Sequence, residues 1–125
     1  MDIEIRYSMP RTATIAVDGH LDIDSAPALR TVFEDRRTHA VDQLVIDVNR
    51  LAFCDSIGLS TLLVAYRRCA GTGGWVRVAG PNPFLQRLLT VVGVADVVPM
   101  YGTVAGALAT DPDDLIAVRK DDFAA

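Results

Sequence analysis

Cysteine, basic residues and long apolar runs are scarce in this 125-residue sequence, and each scarcity excludes a class of protein. The two cysteines, Cys54 and Cys69, form no Cys-x-x-Cys pair and have no histidine at metal-ligand spacing. Disulfide-rich scaffolds and zinc modules normally show such spacings. We therefore predict that both cysteines are small core residues, and we predict no metal and no other cofactor.

Basic residues are outnumbered 12 to 16 by acidic residues, and the net charge is −4. A nucleic-acid-binding protein normally carries a basic face, because its affinity comes largely from neutralising phosphates. Direct binding to nucleic acid is therefore not predicted. No apolar run approaches the roughly 20 residues that span a bilayer, and residues 1–6 alternate instead of forming a signal peptide. We expect a cytoplasmic protein without a membrane segment.

The composition is that of an ordinary globular domain. Half of the residues are hydrophobic and 22% are charged, and the chain length is typical of one domain. Near the C-terminus, the run DPDD at residues 111–114 breaks the last predicted helix. We predict one domain over residues 1–110 and an acidic, loosely ordered tail over residues 111–125.

Alternating apolar residues predict a β-hairpin at the N-terminus. Ile3, Ile5 and Tyr7 alternate with charged residues, which is the period of a half-buried strand. A turn at residues 9–11 leads into a second predicted strand over residues 12–17. The first strand would then form an antiparallel edge.

Helices and strands alternate after the hairpin. Asp24 or Ser25 is a suitable cap for an amphipathic helix over residues 25–39. A dense run of β-branched residues at 43–48 predicts an interior strand, and residues 49–55 are predicted as a loop. The later predicted elements are a helix beginning near Ser56, a strand at 75–79, a helix with Phe84, Leu85, Leu88, Leu89 and Val92 facing inward, a strand at 97–98 and a helix at 103–110.

The predicted order, β-β-α-β-α-β-α-β-α, defines the fold class. Strands that alternate with helices form βαβ units, and such units build a largely parallel sheet. We predict a single α/β domain with a mixed, mostly parallel β-sheet, about four α-helices packed against it and an N-terminal β-hairpin.

A candidate site lies at the predicted helix start, Asp55-Ser56-Ile57-Gly58-Leu59. The carboxyl ends of parallel strands are where α/β sheets place their sites. Two roles are open for Ser56: a helix cap, or a phosphate-bearing residue whose phosphate is met by the next three amides. Gly58 has no Cβ, so backbone or a partner can approach it closely.

Catalytic and metal-binding roles fit the sequence less well. Ser56 lacks the Gly-x-Ser-x-Gly setting of a hydrolase nucleophile, and His20 is more simply explained as an exposed turn residue. Asp22, Asp24 and Asp55 lack the regular spacing of a calcium loop. We therefore predict a protein that is not an enzyme.

Three segments resemble a known family. Residues 44–59, LVIDVNRLAFCDSIGL, resemble the signature of STAS domains, and more closely that of bacterial anti-sigma-factor antagonists. Residues 17–22 resemble the second strand of the family and its Gly-x-Leu-Asp turn, and residues 80–89 are similar to the segment that enters its third helix. The resemblance covers residues 3–110 and implies a STAS-like fold.

The resemblance also implies a mechanism. In these antagonists the unphosphorylated protein binds an anti-sigma factor that is also an ATP-dependent serine kinase, and so frees a sigma factor. The kinase then phosphorylates the serine that matches Ser56, the complex dissociates, and a metal-dependent serine phosphatase resets the switch. Asp22 and Asp55 match acidic positions beside this serine, and Ile57 stands where many relatives have Ser or Thr. The predicted partner-binding residues are Asp22, Asp24, Asp55, Ile57, Gly58 and Leu59.

One alternative function remains open at this point. In this alternative, the chain is a STAS-like scaffold or a ligand- or nucleotide-sensing module with no connection to a sigma factor.

Overall fold

The computed structural model describes residues 1–8 and 10–123, which contain six β-strands and five α-helices. The strands are β1 (Asp2–Ser8), β2 (Thr12–Leu21), β3 (Gln43–Asp47), β4 (Leu51–Cys54), β5 (Trp75–Ala79) and β6 (Met100–Tyr101). The helices are α1 (Ala26–Glu34), α2 (Arg36–His39), α3 (Ser56–Ala70), α4 (Pro83–Val91) and α5 (Val104–Ala109). Short 3₁₀ turns lie at Val94–Asp96 and Lys120–Phe123. Met9, where the predicted first turn begins, lies outside the described residues. No helix in the described ranges is long and apolar enough to cross a membrane.

The sheet has the order β1-β2-β3-β5-β6, and it is mostly parallel. β1 runs antiparallel to β2 and forms the predicted hairpin, whereas the other paired strands are parallel. β2 pairs with β3 from Thr12 opposite Gln43 to Ala16 opposite Asp47. The end of β2 pairs with β4 instead. This arrangement confirms the predicted fold class, and β4 delivers the chain to the carboxyl edge of the sheet just before α3.

The apolar core lies on both faces of the sheet. Leu44 and Ile46 of β3 join a large cluster that includes side chains of α1, α3 and α4. Val45 belongs to a smaller cluster with Ala107 of α5. Successive side chains of a strand point to opposite faces, so an interior strand covered on both sides is apolar throughout. The larger cluster holds α1 against α3, and so fixes the loops that precede these two helices.

The helix predicted over residues 25–39 is in fact two helices. α1 ends at Glu34, and the next residue, Asp35, has an extended backbone with ψ of 140°. The Asp35 carboxylate accepts a hydrogen bond from Arg37 N at 2.9 Å and caps α2. Aspartate competes with helix continuation by binding nearby backbone amides, which apolar spacing does not reveal. This break accounts for the fifth helix.

Two predictions about strands are wrong. Residues 49–55, predicted as a loop, contain β4, whose pairing with β2 is a long-range contact that local sequence does not show. The strand predicted at 97–98 is absent, because Val97 N donates to Val94 O at 3.1 Å at the end of a 3₁₀ turn, and Val98 N donates to the same oxygen at 2.8 Å. The last strand, β6, begins only after Pro99.

The inward face predicted for α4 is partly wrong. Leu85 and Leu89 are buried, but Phe84 is 46% exposed and Val92 is 50% exposed. Residues four apart lie on one helix face, and Leu85 and Leu89 define the buried one. Val92 lies just beyond the last helical residue, and Phe84 lies on the flank of the buried face.

The first part of the predicted tail makes backbone contacts with the domain. Ile116 N donates a hydrogen bond to Met100 O at 2.9 Å, and Leu115 forms an antiparallel bridge with Tyr101. These contacts add a short extension beside β6. The domain boundary at residue 110 and the loose order of the tail stay predictions, and residues 124 and 125 lie outside the described part.

Candidate functional site

Asp55, and not Ser56, caps helix α3. Asp55 has an extended backbone, with φ of −102° and ψ of −174°. Its Oδ1 accepts hydrogen bonds from Ile57 N at 3.0 Å and Gly58 N at 2.9 Å. A side-chain oxygen that binds the free amides of the first turn is the defining feature of a helix N-cap. The capping role open for Ser56 in the sequence is therefore excluded, and Ser56 is the first residue of the helix.

The hydroxyl of Ser56 is available at the surface. Ser56 is exposed, and no residue in the described part of the chain forms a hydrogen bond with its Oγ. Ser60, one turn later, is also exposed, but its Oγ donates to Ser56 O at 2.9 Å. Two serines on one helix thus differ in whether the hydroxyl is already engaged.

The predicted phosphate site at the helix start is already filled. Asp55 Oδ1 binds the amides of Ile57 and Gly58, and Leu59 N donates to Asp55 O at 3.0 Å. The three amides expected to meet a phosphate on Ser56 therefore all have partners within the chain. A phosphate on Ser56 would stay outside the first turn of the helix unless it displaced the Asp55 carboxylate.

A second loop, between β2 and α1, is bonded to the same carboxylate. Ile23 N donates to Asp55 Oδ2 at 3.2 Å. Within the loop, Asp22 Oδ1 accepts hydrogen bonds from Asp24 N at 3.0 Å and Ser25 N at 3.1 Å. The backbone amide of Ser25 is the main reason that the pKa of Asp22 is lowered from its ordinary value of 3.8. Asp55 thus joins the two loops, and the carboxylates of Asp22 and Asp55 both hold the backbone of this region in place by accepting hydrogen bonds from amides.

Of the remaining predicted site residues, two are exposed and two are buried. Asp24 is exposed, and Ile57 is 38% exposed. Gly58 and Leu59 are buried. A Cβ on Gly58 would lie 2.7 Å from the Leu21 carbonyl oxygen and 2.8 Å from Cys54 Sγ. The close approach expected at this glycine is therefore made by the chain itself, and its role in binding a partner stays a prediction.

Both cysteines are buried and free, which confirms their predicted place in the core. Burial, together with the smaller effect of the neighbouring charge of Asp55, raises the pKa of Cys54 to about 12. Burial also raises the pKa of Cys69. A thiol is nucleophilic only as the thiolate, so Cys54 supports the helix start by packing and not by reaction.

Sequence reasoning missed an apolar surface around Ser56. Ile23, between two aspartates, is 65% exposed, although its own amide is bonded to Asp55. A groove of about 470 Å³ lies between α1 and α3, and Phe33, Ile57 and Val64 contribute to its lining. The sequence signal for Ile23 is a large apolar residue inside an acidic turn. The groove has no such signal, because it forms between two helices far apart in the chain.

The site exposes the Ser56 hydroxyl, and the carboxylates beside it are engaged with backbone amides. Within residues 1–8 and 10–123, no group of three or more His, Cys, Asp or Glu side chains is placed to hold a metal ion. Neither Asp22 nor Asp55 forms a hydrogen bond with Ser56 Oγ, and both accept bonds from backbone amides instead.

Comparison with known families agrees with this architecture. The sequence model of a family described as "Mlab, STAS domain" matches residues 6–99. The chain belongs to the STAS domain family.

Among proteins of known family, the chain is similar to anti-sigma factor antagonists. The anti-sigma F factor antagonist of Paenibacillus polymyxa is 27% identical over 110 residues, which cover 86% of this chain and 94% of that protein. An anti-sigma factor antagonist from Mycobacterium paratuberculosis, solved as a crystal structure, is 25% identical with a TM-score of 0.77, over 87% of this chain and 92% of that one. These are regulatory binding proteins, so the chain is a binding protein and not an enzyme.

SpoIIAA of Bacillus shares the fold. Its phosphorylated form is 20% identical to this chain with a TM-score of 0.70, over 87% of this chain and 98% of that one. At this level of identity the likeness shows the fold alone.

Proposed function

We propose that this chain is a cytoplasmic anti-sigma factor antagonist that is switched off by phosphorylation of Ser56. Its unphosphorylated form binds an anti-sigma factor with serine kinase activity, and a sigma factor is released. The observation that carries the proposal is the exposed, unpaired hydroxyl of Ser56 at the first position of α3, which Asp55 leaves free by capping the helix itself. The similarity to two anti-sigma factor antagonists supports the choice of partner.

The phosphorylation step requires groups that the partner supplies. A bond forms between Ser56 Oγ and the γ-phosphorus of ATP, the bond between the β,γ-bridging oxygen and that phosphorus breaks, and ADP leaves. The hydroxyl proton passes to a base on the kinase, because no described side chain of this protein accepts it. A serine phosphatase reverses the switch by adding water across the phosphoester bond.

The phosphate acts on the surface and leaves the fold intact. It adds about −1.5 to −2 charges beside Asp22, Asp24 and Asp55. Because Asp55 holds the first-turn amides, the phosphate gains only the attraction of the helix N-terminus, about 0.3–1 kcal/mol at an exposed site. That attraction is opposed by the three carboxylates. The net change is small against a typical stability of about 5–15 kcal/mol, whereas an unpaired phosphate buried in an interface is strongly unfavourable.

The experiment is phosphorylation of the purified chain by candidate anti-sigma serine kinases with ATP, followed by mass spectrometry. Phosphate is expected on Ser56, and Ser56→Ala should remove it. Ser60→Ala is the matched control, because Ser60 is exposed on the same helix but its hydroxyl is engaged. Phosphate on another residue, or none with any kinase, contradicts the proposal.

Ligand sensing is a second candidate function, and the groove between α1 and α3 favours it. Ile57, which follows Ser56 directly, lies in its wall. A small molecule in the groove would change the surroundings of Ser56. A change in the rate of Ser56 phosphorylation on adding a nucleotide or an apolar metabolite would support this role, and a rate unaffected by such ligands would count against it.

A further inference from the structure

Three exposed rings form a row at the carboxyl edge of the sheet. The rings of His20 and Phe53 have centroids 6.0 Å apart and are tilted by 59°, and those of Phe53 and Phe84 are 5.8 Å apart and nearly parallel at 14°. The three residues come from β2, β4 and α4. We call His20, Phe53 and Phe84 the aromatic row.

The core does not account for the aromatic row. Phe53 is 41% exposed and Phe84 is 46% exposed, and neither belongs to the two apolar clusters. The next residue on each element is the one that enters the core: Cys54 follows Phe53 on β4 and is buried, and Leu85 follows Phe84 on α4 and is buried. Exposed aromatic side chains that pack on each other are restrained before binding, so little conformational entropy is lost when a partner covers them.

One member of the aromatic row lies close to Ser56 along the chain. Phe53 lies three residues before Ser56, on the strand that leads into the cap. On the other side of the cap, Ile23 is exposed and bonded through its amide to Asp55. Exposed apolar side chains therefore lie on both segments that meet at Asp55, and the exposed Asp24 lies next to Ile23 in the chain. A protein that fits this surface has apolar contacts surrounded by basic side chains.

We propose that the aromatic row is the docking contact for the kinase partner, with Phe84 as a principal anchor. This inference rests on the proposed function, because it names the surface that brings Ser56 to the kinase. A kinase must cover the residues around its acceptor serine, and Phe53 of the aromatic row precedes that serine by three residues. Aromatic residues are enriched among the few interface positions that dominate binding.

The test compares Phe84→Ser with Val91→Ser on the same helix. Phe84 and Val91 are exposed to nearly the same extent, 46% and 47%, but only Phe84 belongs to the aromatic row. The probe is the anti-sigma kinase that phosphorylates the wild-type chain at Ser56. We expect Phe84→Ser to weaken kinase binding at least about tenfold and to lower kcat/KM for phosphorylation in parallel. Val91→Ser should stay within about twofold of wild type. Phe84→Leu, which keeps an apolar group, should recover part of the binding.

The outcomes separate the two proposals. If the wild-type chain is phosphorylated on Ser56 but Phe84→Ser and Val91→Ser behave alike, the docking role is wrong and the proposed function stands. If no kinase binds or phosphorylates the wild-type chain, both fail. A concentration-dependent dimer of the wild type that Phe84→Ser abolishes, seen by sedimentation, would assign the row to self-association and overturn the proposal. Thermal melting of each variant shows whether the fold is kept.

Discussion

Replacing Asp55 with alanine removes three hydrogen bonds that hold the site together. Two are the cap bonds from Ile57 N and Gly58 N, and the third is the bond from Ile23 N that joins the other loop. Loss of an N-cap side chain costs about 0.5–2 kcal/mol. The additional bond to a charged acceptor is long at 3.2 Å and exposed, so we assign it about 1 kcal/mol. Asp55→Ala should therefore lower the free energy of unfolding by about 2 kcal/mol, and Tm by roughly 6–10 °C for a domain of this size.

Urea unfolding followed by circular dichroism measures this loss, with two matched variants. Asp55→Asn keeps a side-chain oxygen for the cap and should lose less than about 1 kcal/mol, because Asn caps helices as well as Asp. Asp24→Ala removes a neighbouring carboxylate with no side-chain hydrogen bond and should stay within about 0.5 kcal/mol of wild type. Asp55→Ala as stable as wild type would refute the capping role. Asp55→Asn as unstable as Asp55→Ala would show that charge, and not the cap, is what matters.

Three further predictions concern the support of the site and the tail. Gly58→Ala should destabilise the fold by about 1–3 kcal/mol in urea unfolding, because the new methyl group meets the Leu21 carbonyl oxygen at 2.7 Å; wild-type stability would mean that α3 can shift. The pKa of folded Asp22 is below its ordinary 3.8, so its stabilising contribution is present above that pH and is lost as pH falls through the folded value. As the pH falls below about 4, the free energy of unfolding should therefore decrease less for Asp22→Asn than for wild type. The same pH dependence in both proteins would contradict the role of the Asp22 charge. Asp114 Oδ2 accepts hydrogen bonds from Thr103 N at 2.9 Å and Thr103 Oγ1 at 2.7 Å, so Asp114→Ala should cost about 1–2 kcal/mol. Asp113→Ala, its exposed neighbour, is the control, and equal stability of the two variants would show that the tail does not hold the start of α5.

The hairpin and the interior strands could be predicted from the sequence because their signals are local. Ile3, Ile5 and Tyr7 alternate along β1, and the unbroken apolar run of β3 is covered on both faces as expected. β4 could not be predicted, since its partner is the end of β2 and the pairing is a long-range contact. The break at Asp35 depends on a side-chain bond to Arg37 N, which competes with helical spacing and leaves no apolar signature.

The helix that begins at Ser56 was predicted correctly, but the roles of the residues at its start could not be assigned from the sequence. Asp55 and Ser56 are both good capping residues, and only the extended backbone of Asp55 decides between them. Gly58 leaves a space that a partner or the chain itself can fill, and the structure fills it with Leu21 and Cys54. The role of Ser56 as phosphoacceptor stays a prediction.

The affinity of the anti-sigma kinase for the unphosphorylated and the Ser56-phosphorylated chain tests the central claim most directly. Isothermal titration calorimetry on both forms, with the stoichiometry of phosphate checked by mass spectrometry, gives the two dissociation constants. We predict binding at least about 100-fold weaker after phosphorylation, because the phosphate is unpaired in the interface. The Tm of the two free forms should agree within about 4 °C. Equal affinities of the two forms would contradict the account.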